Sequence, residues 1–178
     1  MTDDNTIHRV DSLLKGGYIG AEKAAAVARA EPLAASPAVL DWLGVCAARG
    51  EWTRFGRLAA LAAELHPRGL GELLAPVIAS GEAGAVLEDL VDIAGQVRAA
   101  AAVPALAGLI DSRGETDAPY FPLCVKCVES LGEIGTEEAN AALRAVATGA
   151  YPDPLRWHAA VELGIEDDLG FDEDEMLG

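Results

Sequence analysis

Apolar residues recur at threes and fours along the chain, the spacing that lines one face of an α-helix, and Gly or Pro interrupts them at helix-length intervals. Residues 6 to 15 set Ile7, Val10, Leu13 and Leu14 on one face, and the stretch GGYIG stops that helix where AEKAAAVARAE begins another. Ser36 followed by Pro37 marks a strong helix start, a capping hydroxyl before the residue whose fixed φ suits the first helical position. That helix runs to Gly50. The next carries Trp52, Phe55, Leu58, Leu61, Ala62 and Leu65 on one stripe and closes at HPRG. Three helices are predicted over 70–79, 83–94 and 98–111, with Pro76 and Pro104 near helix starts or at bends. Beyond the link SRGETDAPYF two more are predicted over 120–133 and 137–148, and the last is PLRWHAAVEL. The closing segment, GIEDDLGFDEDEMLG, holds seven acidic residues and no basic one, and is expected to be solvated and mobile.

Two registers relate these helices to one another. An ungapped shift of 85 residues sets Pro37 on Pro122, Gly50 on Gly135 at the interhelical turn, and Leu58 on Leu143. A shift of 32 sets Leu123 on Leu155 and Leu131-Gly132 on Leu163-Gly164. Self-similarity at about 20–50 residues is the signature of a solenoid of stacked repeats. In the segment 120–148 the first helix carries a stripe of Tyr120, Leu123, Cys124, Cys127, Val128 and Leu131, and the second carries Ala139, Ala142, Leu143 and Val146. Neither helix hides its stripe alone; pairing and stacking bury both, and alanine lets axes approach to about 8–10 Å.

The stretches AVPALAGLIDS (102–112), SLGEIGTEEANAALRAVA (130–147) and LRWHAAVELG (155–164) resemble HEAT repeats, specifically the HEAT-like repeats of the phycocyanobilin-lyase type. Leu155-Arg156 stands at that pattern's Val-Arg position, and Leu131 to Gly135 at its Leu-Gly-x-Ile-Gly position. At 123–125, Leu-Cys-Val replaces Val-Arg-Arg, which breaks the pattern's ladder of arginines at the long link. The resemblance implies an all-α fold, a short right-handed α-solenoid of stacked helical hairpins with about nine or ten helices. The expected organisation is a capping helical pair over 1–35, HEAT-like repeats over 36–164 and an acidic tail over 165–178.

Composition fits this picture and narrows the partners. Of 178 residues 51% are apolar, enough for a substantial core without disulfide or metal, and 35 are alanine, the best helix former. The formal charge is −16, from 29 acidic and 13 basic side chains, the reverse of a nucleic-acid binder's electrostatic footprint. Neither a signal peptide nor about 18 consecutive apolar residues is present, so the expectation is a soluble cytoplasmic protein without a membrane partner. Its three cysteines are read as thiols.

The candidate chemistry is sparse. Cys124 and Cys127 form a Cys-x-x-Cys pair, which can be half of a zinc or redox site, but a second pair is missing and both fall on the packing stripe, where they read as core thiols. His8, His66 and His158 are scattered, with no nucleophile or acid at a usable spacing. The carboxylate pairs Glu88-Asp89 and Glu137-Glu138 read as solvated helix faces, the latter also well placed at a helix start. Hence no catalytic residue, cofactor or metal is expected.

Arg49, Arg54, Arg57 and Arg68, with Trp52 and Phe55 between them, are the chain's one positive island; it reads either as a solvated face or as an interface, since tryptophan and arginine anchor binding hot spots. The expected partner surface therefore comprises Trp52, Arg54 and Arg57 on the early second helix and Glu137, Asn140 and Arg144 on the late one. Alternatively Arg54 and Arg57 lie at a repeat boundary with only their heads exposed. The expected function is a non-enzymatic interaction module or adaptor that binds another protein, one with a basic surface, along its concave face, with an inhibitor or immunity-type protein as a special case. The resemblance also allows a chromophore lyase-like enzyme or attachment factor, and a HEAT-like DNA glycosylase is the third reading, against which the missing basic surface counts.

Overall fold

A computed structural model describes residues 4–114 and 116–171, and every regular element among them is helical. Ten α-helices follow in order: α1 (Asp4–Leu14), α2 (Ala21–Ala30), α3 (Ala38–Ala48), α4 (Trp52–Leu65), α5 (Leu70–Ser80), α6 (Leu87–Gln96), α7 (Val103–Arg113), α8 (Pro122–Ile134), α9 (Glu137–Thr148) and α10 (Asp153–Leu163). No helix of the described residues is long and apolar enough to cross a membrane.

The punctuation acts as the side chains require. Ser36 Oγ accepts from the Ala38 amide at 3.2 Å, Thr136 caps α9 by accepting from the Ala139 amide at 3.2 Å, and the Asp117 carboxylate reaches from the link to accept from the Cys124 amide at 2.8 Å. Gly50 and Gly135, matched in the longer register, both adopt left-handed φ, 66° and 63°, at the turns that end α3 and α8. Helices α6 and α7 begin later than predicted, because 3-10 turns at Gly84–Val86 and Ala100–Ala102 precede them. Pro104 lies in the first turn of α7, whereas Pro76 sits inside α5, where it removes one backbone donor.

Contacts follow two alternating series. Helices α2, α4, α6, α8 and α10 touch in succession, and so do α3, α5, α7 and α9, while α3–α4, α5–α6, α7–α8, α8–α9 and α9–α10 join the two. The longer register, which equates α3 with α8 and α4 with α9, thus pairs helices from different series; the shorter one pairs α8 with α10, which touch. One hydrophobic core runs through the described chain, from Ile7 and Val10 through Phe55, Leu90 and Leu131 to Leu155 and Ala160. Tyr120, placed on the α8 stripe by periodicity, precedes the helix and is 86% exposed.

At the α6–α8 crossing the helices come together over small residues. The buried Ser130 hydroxyl donates to the Val91 carbonyl at 2.9 Å, and a Cβ on Gly95, one turn further along α6, would lie 3.0 Å from the Ser130 Cα. The closing segment departs from its expectation: Ile165 and Phe171 pack against the core, and the Arg156 guanidinium lies 5.4 Å from the centroid of the Phe171 ring. The remainder of the predicted tail, 172–178, lies outside the described residues.

Candidate functional site

The arginine island is mostly engaged within the chain. Helix α4 presents Arg54 and Arg57 to α1, where the Asp11 side chain is only 5% exposed. Arg57 Nε donates to Asp11 Oδ1 at 2.7 Å, and Arg57 Nη2 lies 2.6 Å from the same oxygen. Arg54 stands behind it, its Nε 3.7 Å from Asp11 Oδ2; its other nitrogens reach Glu51 and His8 Nδ1, the latter at 3.2 Å. Arg49 pairs with Asp4 at 3.2 Å. Trp52 is half-buried and meets Phe55 edge-on, with ring centroids 5.8 Å apart. The Arg54 and Arg57 guanidinium groups are thus committed to a buried carboxylate of α1, and their heads are not the exposed part of the side chain.

The late half of the expected surface lies elsewhere. Glu137 and Arg144 are exposed on α9 and Asn140 is half-buried there. Because α4 and α9 belong to different contact series, the structure does not gather the six residues onto one face.

What the alternating series does gather is a row of carboxylates along α4, α6, α8 and α10. A cleft between α4 and α6 is lined by Glu64, Asp89, Asp92 and Gln96, and an adjoining one between α6 and α8 shares Asp92 and Gln96 and adds Lys126, Glu129 and Glu133. From α10, Glu162 lies over Gly132, the position at which α8 has no side chain to obstruct it. Burial raises the Glu162 pKa, and Glu129 and Glu133 raise it further. His158, one turn away, has its pKa lowered by burial while Glu129 opposes the shift. Lys126 is the groove's lysine, and it is bound to Asp92, which raises its pKa.

No family model, curated protein or solved structure matches this chain. Its site is therefore read from its own geometry.

The raised Glu162 pKa has a testable sign. A carboxyl that holds its proton more tightly in the fold than in the unfolded chain costs stability as pH rises above the ordinary value of 4.5. Glu162→Gln is expected to raise the melting temperature at pH 7 and to leave it unchanged at pH 3, where both states are protonated; thermal scans at the two pH values check this.

The thiols are sealed in the core. Cys46, Cys124 and Cys127 are free and fully buried, and desolvation is the largest cause that raises each pKa, to about 11 for Cys46 and about 12 for Cys124. Such thiols are poor nucleophiles. In the native protein at pH 8, a thiol-reactive dye is expected to report almost no labelling, with three thiols appearing on denaturation. The same shifts make the fold lose stability as pH climbs above 9.0, the ordinary thiol value. Among the described residues no group of three His, Cys, Asp or Glu side chains could hold a metal ion.

Proposed function

We propose that the chain is a non-enzymatic interaction module, a short HEAT-like α-solenoid that binds a basic segment of another protein along the face formed by α4, α6, α8 and α10. The observation that carries this reading is the carboxylate groove: Glu64, Asp89, Asp92, Glu129, Glu133 and Glu162 line one continuous surface, and Lys126 is already paired. Like charges held close together favour a cation that relieves them. The succession of contacts between alternate helices supports the solenoid. Each repeat adds its carboxylates beside those of the last, which suits an extended or helical cationic segment better than a small molecule. The sealed thiols, the dispersed histidines and the acid face weigh against covalent chromophore chemistry and against a phosphate backbone.

Fluorescence anisotropy with a labelled deca-lysine peptide tests the reading. Two double variants make the same change in net charge, Glu129→Lys/Glu133→Lys in the groove and Glu137→Lys/Glu138→Lys on α9. The groove pair is expected to weaken binding by more than tenfold and the α9 pair by less than threefold, both at about 0.15 M salt, where the screening length is about 8 Å. Equal losses would reduce the binding to net charge and remove the groove from it.

A further inference from the structure

At the α4–α6 end of the groove the wall changes character. The cleft there has a volume of about 400 Å³, and its floor is apolar, formed by Gly56 and Ala60 of α4 and Ile93 of α6, with Glu64 and Asp89 at its sides. From the α1–α2 link Tyr18 joins its lining, and at 87% exposed it is the most exposed large hydrophobic side chain of the described residues. A ring so placed gains nothing for the fold, since burial is what makes an aromatic residue stabilising.

The turn that precedes it is nonetheless held. The Lys23 ammonium donates to the carbonyls of Leu14 at 2.8 Å and Gly16 at 2.5 Å, which closes the C-terminus of α1 with a cation. Tyr18 leaves that closed turn, and its Cε1 lies 2.8 Å from where a Cβ on Gly20 would stand, so the ring rests against a backbone bare of side chain. The carboxylates differ in commitment: Asp92 holds Lys126 and Glu64 accepts from Gln96 Nε2 at 3.3 Å, while Asp89 is exposed and takes part in no ion pair among the described residues.

We infer that this cleft receives an arginine side chain of the basic partner segment, with the guanidinium against the Tyr18 ring and toward Asp89 and the stem on the apolar floor. The inference rests on the groove reading above and names its specificity. Each part of the cleft matches one part of arginine. The aliphatic stem covers Ala60 and Ile93 as long cationic side chains cover apolar surface elsewhere. The planar, weakly hydrated guanidinium stacks on an aromatic face and can still give hydrogen bonds in its plane to a carboxylate, which a compact and strongly hydrated ammonium does less well. At about 400 Å³ the cleft lies near the lower end of small-ligand sites, ~300–1,000 Å³, and admits a side chain but not a helix.

Labelled deca-arginine and deca-lysine peptides, titrated by anisotropy at one salt concentration, test this against the groove reading. Wild type is expected to bind deca-arginine roughly five- to tenfold more tightly than deca-lysine. Tyr18→Ala, at an exposed position outside the carboxylate row, is expected to bring the two peptides to within about twofold of each other by weakening deca-arginine alone, and Asp89→Asn, which removes one groove carboxylate, to weaken both peptides but deca-arginine more, again to within about twofold. Equal affinities in wild type, or a preference that survives both variants, would overturn the arginine cleft. If that happens while Glu129→Lys/Glu133→Lys still weakens binding by more than tenfold, the groove stands without the cleft. Failure of wild type to bind either peptide would remove both.

Discussion

Asp11→Ala destabilises the fold by about 2–4 kcal/mol in a denaturant titration, whereas Asp4→Ala leaves the midpoint unchanged. Both carboxylates belong to α1 and both meet arginine, so chemistry does not separate them; burial does. The Asp11 side chain is 5% exposed between Arg57 and Arg54, while Asp4 and Arg49 are about half exposed. Removing Asp11 strands two guanidinium groups against the core edge, and since these are themselves 26% and 19% exposed, water recovers part of the loss. That places the cost somewhat below the ~3–5 kcal/mol of a fully buried pair. Because the ion pairs join α1 to α4, the loss should be accompanied by faster amide exchange in α1. An Asp11→Ala protein with unchanged stability would mean that α1 is held by Ile7, Val10 and Leu14 alone.

Gly95→Leu is expected to cost about 2–3 kcal/mol, measured in the same way, because its Cβ would meet the Ser130 backbone at 3.0 Å and the side chain beyond it has no space at the α6–α8 crossing. Helix propensity favours leucine over glycine by up to about 1 kcal/mol, so the net loss understates the steric one. Gly108→Leu is the control: on the exposed side of α7, with nothing within 4 Å of its added Cβ, it should be neutral or stabilising. If the two glycines respond alike, the crossing is not set by their difference in space.

Much of this fold was legible in the sequence because its helix ends are written in strong local signals. Ser36 caps, Gly50 and Gly135 turn, and the predicted helices match those observed to within a few residues, apart from the two starts delayed by 3-10 turns. Register was less legible. Leucine and glycine at matching positions relate any two amphipathic helices of similar length, so the match of α3 to α8 carried no information about which helices touch. The arginine island was found as a charge pattern, but its partner lies 46 residues away from Arg57. A signal for it existed: positions 7, 10, 11 and 14 form the buried stripe of α1, and a carboxylate on such a stripe calls for a cation. Periodicity alone put Leu13 there instead, and Leu13 is 47% exposed. The groove was hidden for another reason. Glu64, Asp92, Glu129 and Glu162 are each an ordinary solvated carboxylate on their own helix, and only the succession of alternate helices brings them onto one surface.

The engagement of Arg54 and Arg57 by Asp11 also has a kinetic side. Two cations matched by the carboxylates of Asp11 and Glu51 within the fold cast little net field outside it, so they do not blunt the negative potential along α6, α8 and α10. A positively charged molecule diffusing nearby is then drawn toward that face from beyond contact distance, and its encounter rate rises above the roughly 10⁵–10⁶ M⁻¹s⁻¹ of unsteered docking. This gain fades as salt shortens the range of the field, while dissociation, governed by contacts at close quarters, changes far less. Arginines engaged inside the chain thus bear on the field that the chain casts outside it.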